Sequence, residues 1–212
     1  MRPTSPHALI AKLRQIVGPD RVSESVPDRD AYSRDLWPRS QLERLVGDLP
    51  TRPDCIVWPG TVEEVAAVVA ACLEAKVPIV PFGAGSGVCG GARPTRGGVV
   101  LDVKRLKRLR RVDPEAGLIE VEAGYVGELL ERRLEREGLT LGHFPSSILC
   151  SSVGGWVAGR SAGQCSTRYG KIEDMVVELE VVTGDGQIRR VPARDSGGFD
   201  WLSAFVGSEG TL

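Results

Sequence analysis

Several residue types that carry common chemistry are scarce in this chain of 212 residues. It has two histidines, His7 and His143, and five cysteines that form no Cys-x-x-Cys pair. An odd number of cysteines without paired spacing argues against both a disulfide-stapled fold and a structural zinc site. The sequence therefore predicts reduced thiols, as in a cytoplasmic protein, and no metal centre.

Charge of one sign and long apolar runs are also missing. With 27 basic and 28 acidic side chains the formal net charge is -1, so no affinity for nucleic acid is expected. The basic run 104–111 contains no aromatic residue and is interpreted as the solvated face of a short connecting element. No apolar stretch is long enough to span a bilayer, and the N-terminus lacks the apolar core of a signal peptide.

Apolar periodicity divides the chain into a polar N-terminal part, residues 1–51, and an α/β part, residues 52–212. The first part is predicted to hold a helix over 7–17 and an extended arm or loop over 32–49. In the second part, Thr61 is predicted to cap a helix in a capping box with Glu64. The other elements predicted there are strands at 55–58, 77–82, 98–103, 118–123 and 175–183, a hairpin partner at 188–191 after Gly184-Asp185-Gly186, and a helix over 126–136 with Leu129, Leu130 and Leu134 inward.

A glycine-rich loop follows the strand predicted at 77–82. Residues 83–91 contain five glycines in nine positions, and successive N–H groups of such a loop can converge on a phosphate. The ATP-type loop is excluded because no lysine closes the motif. The doubly wound dinucleotide fold is excluded because Arg93-Pro94 cannot begin a helix cleanly. A glycine-rich turn that only redirects the chain stays open as the alternative.

Hydroxyls and glycines recur over residues 145–163, where they offer small donors and an exposed backbone to an oxygen-rich ligand. The alternative is a serine-rich surface loop. Against it, Val153, Trp156 and Val157 are large apolar residues among the glycines and predict a buried turn. One ligand site shared by both glycine-rich segments explains the pattern better than two unrelated loops.

The ordered motifs PFGAGSGVCGG, PSSILCSSVGGWVAGRSAG, YGKIEDMVVELEVVTGDG and GSEGTL resemble the FAD-binding domain of the vanillyl-alcohol oxidase / p-cresol methylhydroxylase superfamily. Within it, they are most similar to the branch of alkyldihydroxyacetone-phosphate synthase, D-lactate dehydrogenase and the glycolate oxidase FAD subunit. The resemblance implies an α/β (α+β) fold of two subdomains with FAD between them. It also implies a substrate-binding cap domain that is absent from this chain, whose last residues are expected to break off within an element.

The resemblance places the FAD contacts in four segments, the first of which would wrap the pyrophosphate. The implied residues are Pro81, Phe82, Gly83, Ala84, Gly85, Ser86 and Gly87 in the first segment; Ser146, Ser147, Ile148, Leu149, Cys150, Ser151, Ser152, Gly154 and Gly155 in the second; Gly159, Arg160, Ser161, Ala162 and Gly163 in the third; and Glu209 and Gly210 in the fourth.

The resemblance also bears on how flavin is attached. Relatives with covalent flavin often carry a histidine in the first loop, and none lies there, so non-covalent FAD is expected. Cys150 is expected to be a packed thiol rather than a flavin attachment. No catalytic residue is assigned: His143 titrates near neutral pH, but a structural role is favoured for it.

Three functions stay open. Pro145-Ser146-Ser147 favours an oxidoreductase that removes hydride from a D-2-hydroxy acid such as lactate or glycolate, since many synthase relatives have Pro-Asp-Ser there. The GGWVAGRSAG and YGKIEDMVV stretches favour a transferase similar to alkyldihydroxyacetone-phosphate synthase. The third is an FAD-binding module without activity of its own. A small-molecule substrate is the expected partner, and nothing in the sequence bears on the oligomeric state.

Overall fold

The computed structural model describes residues 6–47, 51–192 and 198–212. The chain forms two compact units. The first consists of Met1–Arg105 and Val182–Arg189, and the second of Leu106–Val181 and Arg190–Leu212. The first unit therefore includes both the N-terminal part of the chain and the first glycine-rich loop.

A four-stranded sheet organises the first unit. Its order is β1-β2-β4-β3, with β1 antiparallel to β2 and the other neighbours parallel. Helices and strands follow one another as α1 (Pro6–Val17), β1 (Val22–Ser23), α2 (Val26–Ala31), α3 (Pro38–Leu45), β2 (Cys55–Val57), α4 (Val62–Ala75), β3 (Ile79–Phe82) and β4 (Val99–Asp102).

Burial explains the central strands and the first helix of this unit. All residues of β2 and β4 are buried, which fits the apolar sequence of β2 and of residues 99–101 in a parallel arrangement. Helix α1 buries Leu9, Leu13 and Val17 at helical spacing, as predicted.

The start of α4 agrees with the sequence in one respect and differs in another. Thr61 caps the helix by accepting the Glu64 N–H at 3.2 Å, as predicted. The Glu64 carboxylate does not complete the capping box. It accepts instead from the N–H of Gly60 at 2.7 Å and pairs with Arg21 at 2.8 Å, because that guanidinium lies within reach.

The predicted extended arm over 32–49 is wrong at its centre, where α3 forms. Pro38 is the first residue of this helix, a position where its fixed φ is favourable and its missing N–H costs nothing. Residues 48 and 49, at the end of that arm, lie outside the described residues.

The second unit contains an antiparallel hairpin, several short helices and a buried apolar cluster. Strands β5 and β6 pair antiparallel, with a bulge between Leu109 and Arg111. Val191, Leu202 and Val206 form its buried cluster. The elements are β5 (Leu109–Asp113), β6 (Leu118–Val121), α5 (Gly127–Glu135), α6 (Val153–Ala158), α7 (Ser166–Tyr169), α8 (Ile172–Met175), β7 (Glu178–Val182), β8 (Ile188–Pro192) and α9 (Trp201–Phe205). The β7–β8 hairpin turns at 184–186, as predicted, and its residues Val182–Arg189 are counted with the first unit.

Two expectations about this unit are corrected. The basic run continues into strand β5 rather than a connecting element, and Arg108 and Arg110 form ion pairs with the buried carboxylate of Glu122. On α5, Leu130 and Leu134 are buried as predicted, whereas Leu129 is 55% exposed because it lies off that face.

The described residues contain neither a membrane-spanning helix nor a cluster of metal ligands. No helix in 6–47, 51–192 or 198–212 is both long and apolar enough to cross a membrane. Over the same ranges no group of three or more His, Cys, Asp or Glu side chains is placed to hold a metal ion.

Candidate functional site

The loop that leaves β3 is held by its carbonyl groups. The Gly83 carbonyl accepts a hydrogen bond from Lys104 Nζ at 2.7 Å. The backbone N–H of Leu36 donates to two more carbonyls, those of Gly85 at 3.1 Å and Gly87 at 3.0 Å. Three alternate peptide groups of the loop are therefore fixed by residues that lie far away in the sequence.

These contacts determine where the neighbouring N–H groups point. In a planar trans peptide, the C=O of one residue and the N–H of the next point in opposite directions. The N–H of Ala84 must then point away from Lys104, and those of Ser86 and Val88 away from Leu36. None of these three N–H groups donates a hydrogen bond within the described ranges of the chain. The loop thus keeps three unpaired N–H donors, and those of Ser86 and Val88 both point away from Leu36, so they are free for a phosphate.

One glycine of the loop is required by both its conformation and its surroundings. Gly85 has φ +64°, and a Cβ built on it would lie 2.5 Å from Cζ of Phe82. Phe82 is buried, with its ring centroid 4.7 Å from that of Tyr32, so it has little room to yield. Only glycine fits this position without a shift of the loop.

A buried polar cluster lies beneath the loop. Asp102, at the end of β4, is fully buried and accepts hydrogen bonds from Tyr32 Oη at 2.5 Å and Trp58 Nε1 at 3.1 Å. It also forms an ion pair with Lys104 at 2.6 Å. Burial, and then the bond to Asp102, raise the pKa of the Tyr32 phenol, so its hydroxyl stays protonated and donates.

The second candidate segment, in the second unit, is a turn followed by a short helix. The turn at 145–151 is closed by Ile148 N–H to Pro145 and by Ser151 N–H to Ser147. The hydroxyls of Ser146 and Ser147 have no partner in the described part of the chain. Helix α6 follows, so the predicted buried turn is a helix, in which Trp156 is buried and Val157 half-buried.

Several residues of this segment have internal structural roles. The Ser151 hydroxyl accepts from Trp156 Nε1 at 2.7 Å, and the buried Ser152 caps α6 by accepting the Gly155 N–H. A Cβ on Gly154 would lie 2.7 Å from that of Ala123, so this glycine allows close packing. Ile148 is half-buried, and Leu149 is exposed.

The expectation of a packed thiol at Cys150 is wrong. The side chain is exposed, and its Sγ lies 3.4 Å from the carbonyl oxygen of Ser147. The turn directs it outward because the next two residues, Ser151 and Ser152, face inward. Its sequence neighbour Leu149 is also exposed, so the apolar pattern gave no reliable sign of burial.

The third and fourth segments lie together at the end of α6. Arg160 donates to the carbonyl of Val206 at 3.0 Å and pairs with Glu173 at 3.1 Å. The N–H of Glu209 donates to the carbonyl of Ala158 at 3.1 Å. Both Glu209 and Gly210 have positive φ, and Gly159 and Ala162 are exposed.

His143 is enclosed beside this segment. The ring is fully buried, its Nε2 shares a hydrogen bond of 2.7 Å with Ser161 Oγ, and its edge packs on Trp156 at 4.8 Å between centroids. Burial lowers its pKa. Gly163 packs against the backbone of Phe144 next to it. These contacts give His143 a role in packing.

Sequence analysis missed the residues that orient the first loop. Leu36 acts through its backbone N–H, which no side-chain pattern reveals. Lys104 was assigned to a solvated basic run, but its Nζ contacts Asp102 and Gly83. A signal existed in Asp102, an acidic residue at the end of an apolar strand, since a buried carboxylate needs a partner.

Comparison with known proteins gives a family. Residues 53–192 match the family model described as FAD binding domain. The glycolate oxidase subunit GlcD of Bacillus subtilis is 36% identical over 95% of this chain and 42% of its own length. The alkyldihydroxyacetonephosphate synthase of Trypanosoma brucei brucei is 32% identical over 99% of the chain and 35% of its own. A probable mitochondrial D-lactate dehydrogenase of Danio rerio is 31% identical over 96% and 40%.

Solved structures give the same fold. A structure of alkyldihydroxyacetonephosphate synthase matches 99% of this chain and 42% of its own, with a TM-score of 0.89 and 32% identity. p-Cresol methylhydroxylase with substrate bound matches 94% and 38%, with a TM-score of 0.72 and 26% identity. The chain spans about two fifths of the length of such relatives. It belongs to the FAD binding domain family, with the mixed α/β fold found in p-cresol methylhydroxylase, and its cofactor is FAD.

Proposed function

We propose that the loop after β3 binds the pyrophosphate of FAD. The observation that carries this proposal is the set of unpaired N–H groups of Ala84, Ser86 and Val88, each of which follows a carbonyl that is held by a hydrogen bond. Neutral N–H donors suit the acceptor-only oxygens of a diphosphate.

In the second unit, we propose that the segment at 146–147 contributes the polar contacts. Ser146 and Ser147 keep their hydroxyls free within the described residues, whereas those of Ser151, Ser152 and Ser161 are bonded internally. The three internally bonded serines would then shape the segment, and any contact that they make with cofactor would be through the backbone.

We further propose that the whole protein oxidises a D-2-hydroxy acid. The likeness to a glycolate oxidase subunit and to a D-lactate dehydrogenase supports this substrate class, as does Pro145-Ser146-Ser147. When bound, FAD supplies the acceptor for the hydride that leaves the α-carbon. The residues described here would bind and orient the cofactor. His143 is too enclosed to take the substrate's proton, so that base is proposed to lie in the part of the relatives that this chain does not span.

The FAD part is tested by the visible absorption spectrum of the purified chain, recorded before and after denaturation and filtration. Flavin absorbance that passes into the filtrate as FAD is the expected result, and it would also support non-covalent attachment. Colour that stays on the denatured protein would contradict non-covalent attachment but not FAD binding. A colourless chain that does not bind added FAD would contradict the proposed role of the loop.

The substrate class is tested by anaerobic titration of the FAD-loaded protein, with the chain joined to the C-terminal part of a GlcD relative. D-Lactate and glycolate are expected to bleach the flavin, and L-lactate serves as the stereochemical control. The 212 residues alone are expected to bind FAD without being reduced, as an FAD-binding module. Flavin that stays oxidised with every 2-hydroxy acid would refute the substrate class while leaving FAD binding intact.

The second candidate is a transferase similar to alkyldihydroxyacetonephosphate synthase. The TM-score of 0.89 to such a synthase favours it. Exchange of an acyl for an alkyl group involves no net oxidation, so this activity predicts no bleaching by 2-hydroxy acids. Incorporation of a labelled fatty alcohol into acyldihydroxyacetone phosphate is the assay that would identify it.

A further inference from the structure

Lys104 occupies a position that the proposed role of the loop does not by itself explain. Its ammonium contacts the Gly83 carbonyl at 2.7 Å and the Asp102 carboxylate at 2.6 Å. It also lies 5.0 Å from the ring centroid of Phe82 and 5.2 Å from that of Tyr32, within cation–π range. Four groups from separate parts of the first unit thus converge on one ammonium.

The buried Asp102 carboxylate fixes the position of the Lys104 ammonium. Asp102 is fully buried, and a buried carboxylate is stable only where donors satisfy it. Its Oδ2 accepts from Tyr32 and Trp58, and its Oδ1 accepts from the N–H of Lys104 itself. The carboxylate is therefore fixed, and the ammonium paired with it has a defined position beneath Gly83.

The position of the ammonium has a consequence for the ligand side of the loop. Because Lys104 fixes the carbonyl of Gly83, it also fixes the opposite direction of the Ala84 N–H in the same peptide plane. A bond to a charged donor polarises that peptide and strengthens its N–H as a donor. Lys104 thus acts on the ligand through a peptide group, from the face of the loop opposite to the N–H.

We propose that Lys104 is a positioning residue for the FAD pyrophosphate, and that Tyr32 supports it through Asp102. This inference rests on the proposed role of the loop. It assigns a binding function to a side chain of the basic run 104–111 and to a residue of the N-terminal part of the chain, outside residues 53–192.

The test is the dissociation constant of FAD, measured by fluorescence titration of the whole chain at a temperature where circular dichroism shows every variant folded. Lys104→Met keeps the length of the side chain and removes the donor and the charge. It is expected to weaken FAD binding about tenfold or more, the size of one lost hydrogen bond to a charged group. Lys104→Arg, which keeps both, is expected to recover most of the loss.

The matched control is Lys107→Met, which removes the same charge from an exposed side chain three residues further on. It is expected to leave FAD binding unchanged. Equal weakening by Lys107→Met and Lys104→Met would show a general effect of net charge and would overturn the inference. The inference would also be overturned if Lys104→Met bound FAD as tightly as the parent chain, although the proposed role of the loop would then stand.

Tyr32→Phe tests the supporting contact, because it removes only the hydroxyl and keeps the ring against Phe82. It is expected to weaken FAD binding less than Lys104→Met does, and to add nothing in the double variant, since its effect passes through Lys104. Independent, additive losses would contradict the path through Asp102. A parent chain that binds no FAD would instead refute the proposed role of the loop, and this inference with it.

Discussion

Replacing Gly85 by alanine tests the geometry of the loop most directly. At φ +64° an alanine is strained by about 1–2 kcal/mol relative to glycine. The added methyl group also lies 2.5 Å from Cζ of Phe82, and overpacking of this kind costs about 1–3 kcal/mol. Together these effects predict that the free energy of unfolding falls by about 2–5 kcal/mol.

Gly117→Ala provides a control with almost the same backbone. Gly117 lies between β5 and β6 with φ +65°, and a Cβ there would meet nothing within 4 Å. This variant is expected to lose only the backbone contribution, about 1–2 kcal/mol. The difference between the two variants, measured by urea denaturation, therefore isolates the crowding against Phe82.

FAD binding should separate the two variants more sharply than stability does. Phe82 is buried against Tyr32, so Gly85→Ala is expected to relieve the crowding by displacing the loop and the N–H groups of Ser86 and Val88. The dissociation constant of FAD should rise about tenfold for each 1.4 kcal/mol of lost binding. Gly117→Ala should bind like the parent. Equal destabilisation of both variants, with unchanged FAD binding in Gly85→Ala, would refute the reasoning.

Two predictions concern the second unit. Burial lowers the pKa of His143, so in acid the unfolded state binds a proton that the folded state does not. The stability that is present above about pH 6.5 is therefore lost as the pH falls, by at most about 1.4 kcal/mol per pH unit. Urea denaturation at pH 7.5 and 5.5 should show that this pH dependence of stability is smaller in His143→Gln. It should be unchanged in the control His7→Gln, because His7 is exposed. Equal pH dependence in the two variants would contradict the role of His143. Ser152→Ala removes the N-cap of α6 and should lower the free energy of unfolding by about 1 kcal/mol, measured by thermal or urea denaturation. Ser152→Thr, which keeps a capping hydroxyl, is the control. An unchanged midpoint in Ser152→Ala would show that the cap contributes nothing.

Much of the fold follows from local patterns. The apolar sequence of β2 and the N-cap at Thr61 are short-range signals, and both appear where they were predicted. The hairpin at 184–186 likewise depends on turn residues adjacent in sequence. Helix α3 was missed because its apolar residues do not form an inward stripe, and Leu42 and Leu45 are strongly exposed. A helix without a buried face leaves no periodic pattern to detect.

The candidate site was predictable only in part, for a different reason. Glycine content marks where a backbone can approach a phosphate, but it does not determine which way each peptide turns. Here that direction depends on Leu36, which precedes the loop by about fifty residues, and on Lys104, which follows it by about twenty. Such contacts exist only after the sheet has brought β3 and β4 together.

The orientation of the loop is thus a property of the folded first unit rather than of the glycine motif. The motif supplies a backbone that tolerates the required conformation, as Gly85 shows. The carbonyl contacts of Leu36 and Lys104 then select one of the conformations that the motif permits. A chain with an intact motif and an altered Lys104 should therefore lose affinity under conditions where it is still folded, whereas an altered Gly85 should lose both stability and affinity. Comparing stability with FAD affinity in these two variants separates the role of the motif from that of its supports.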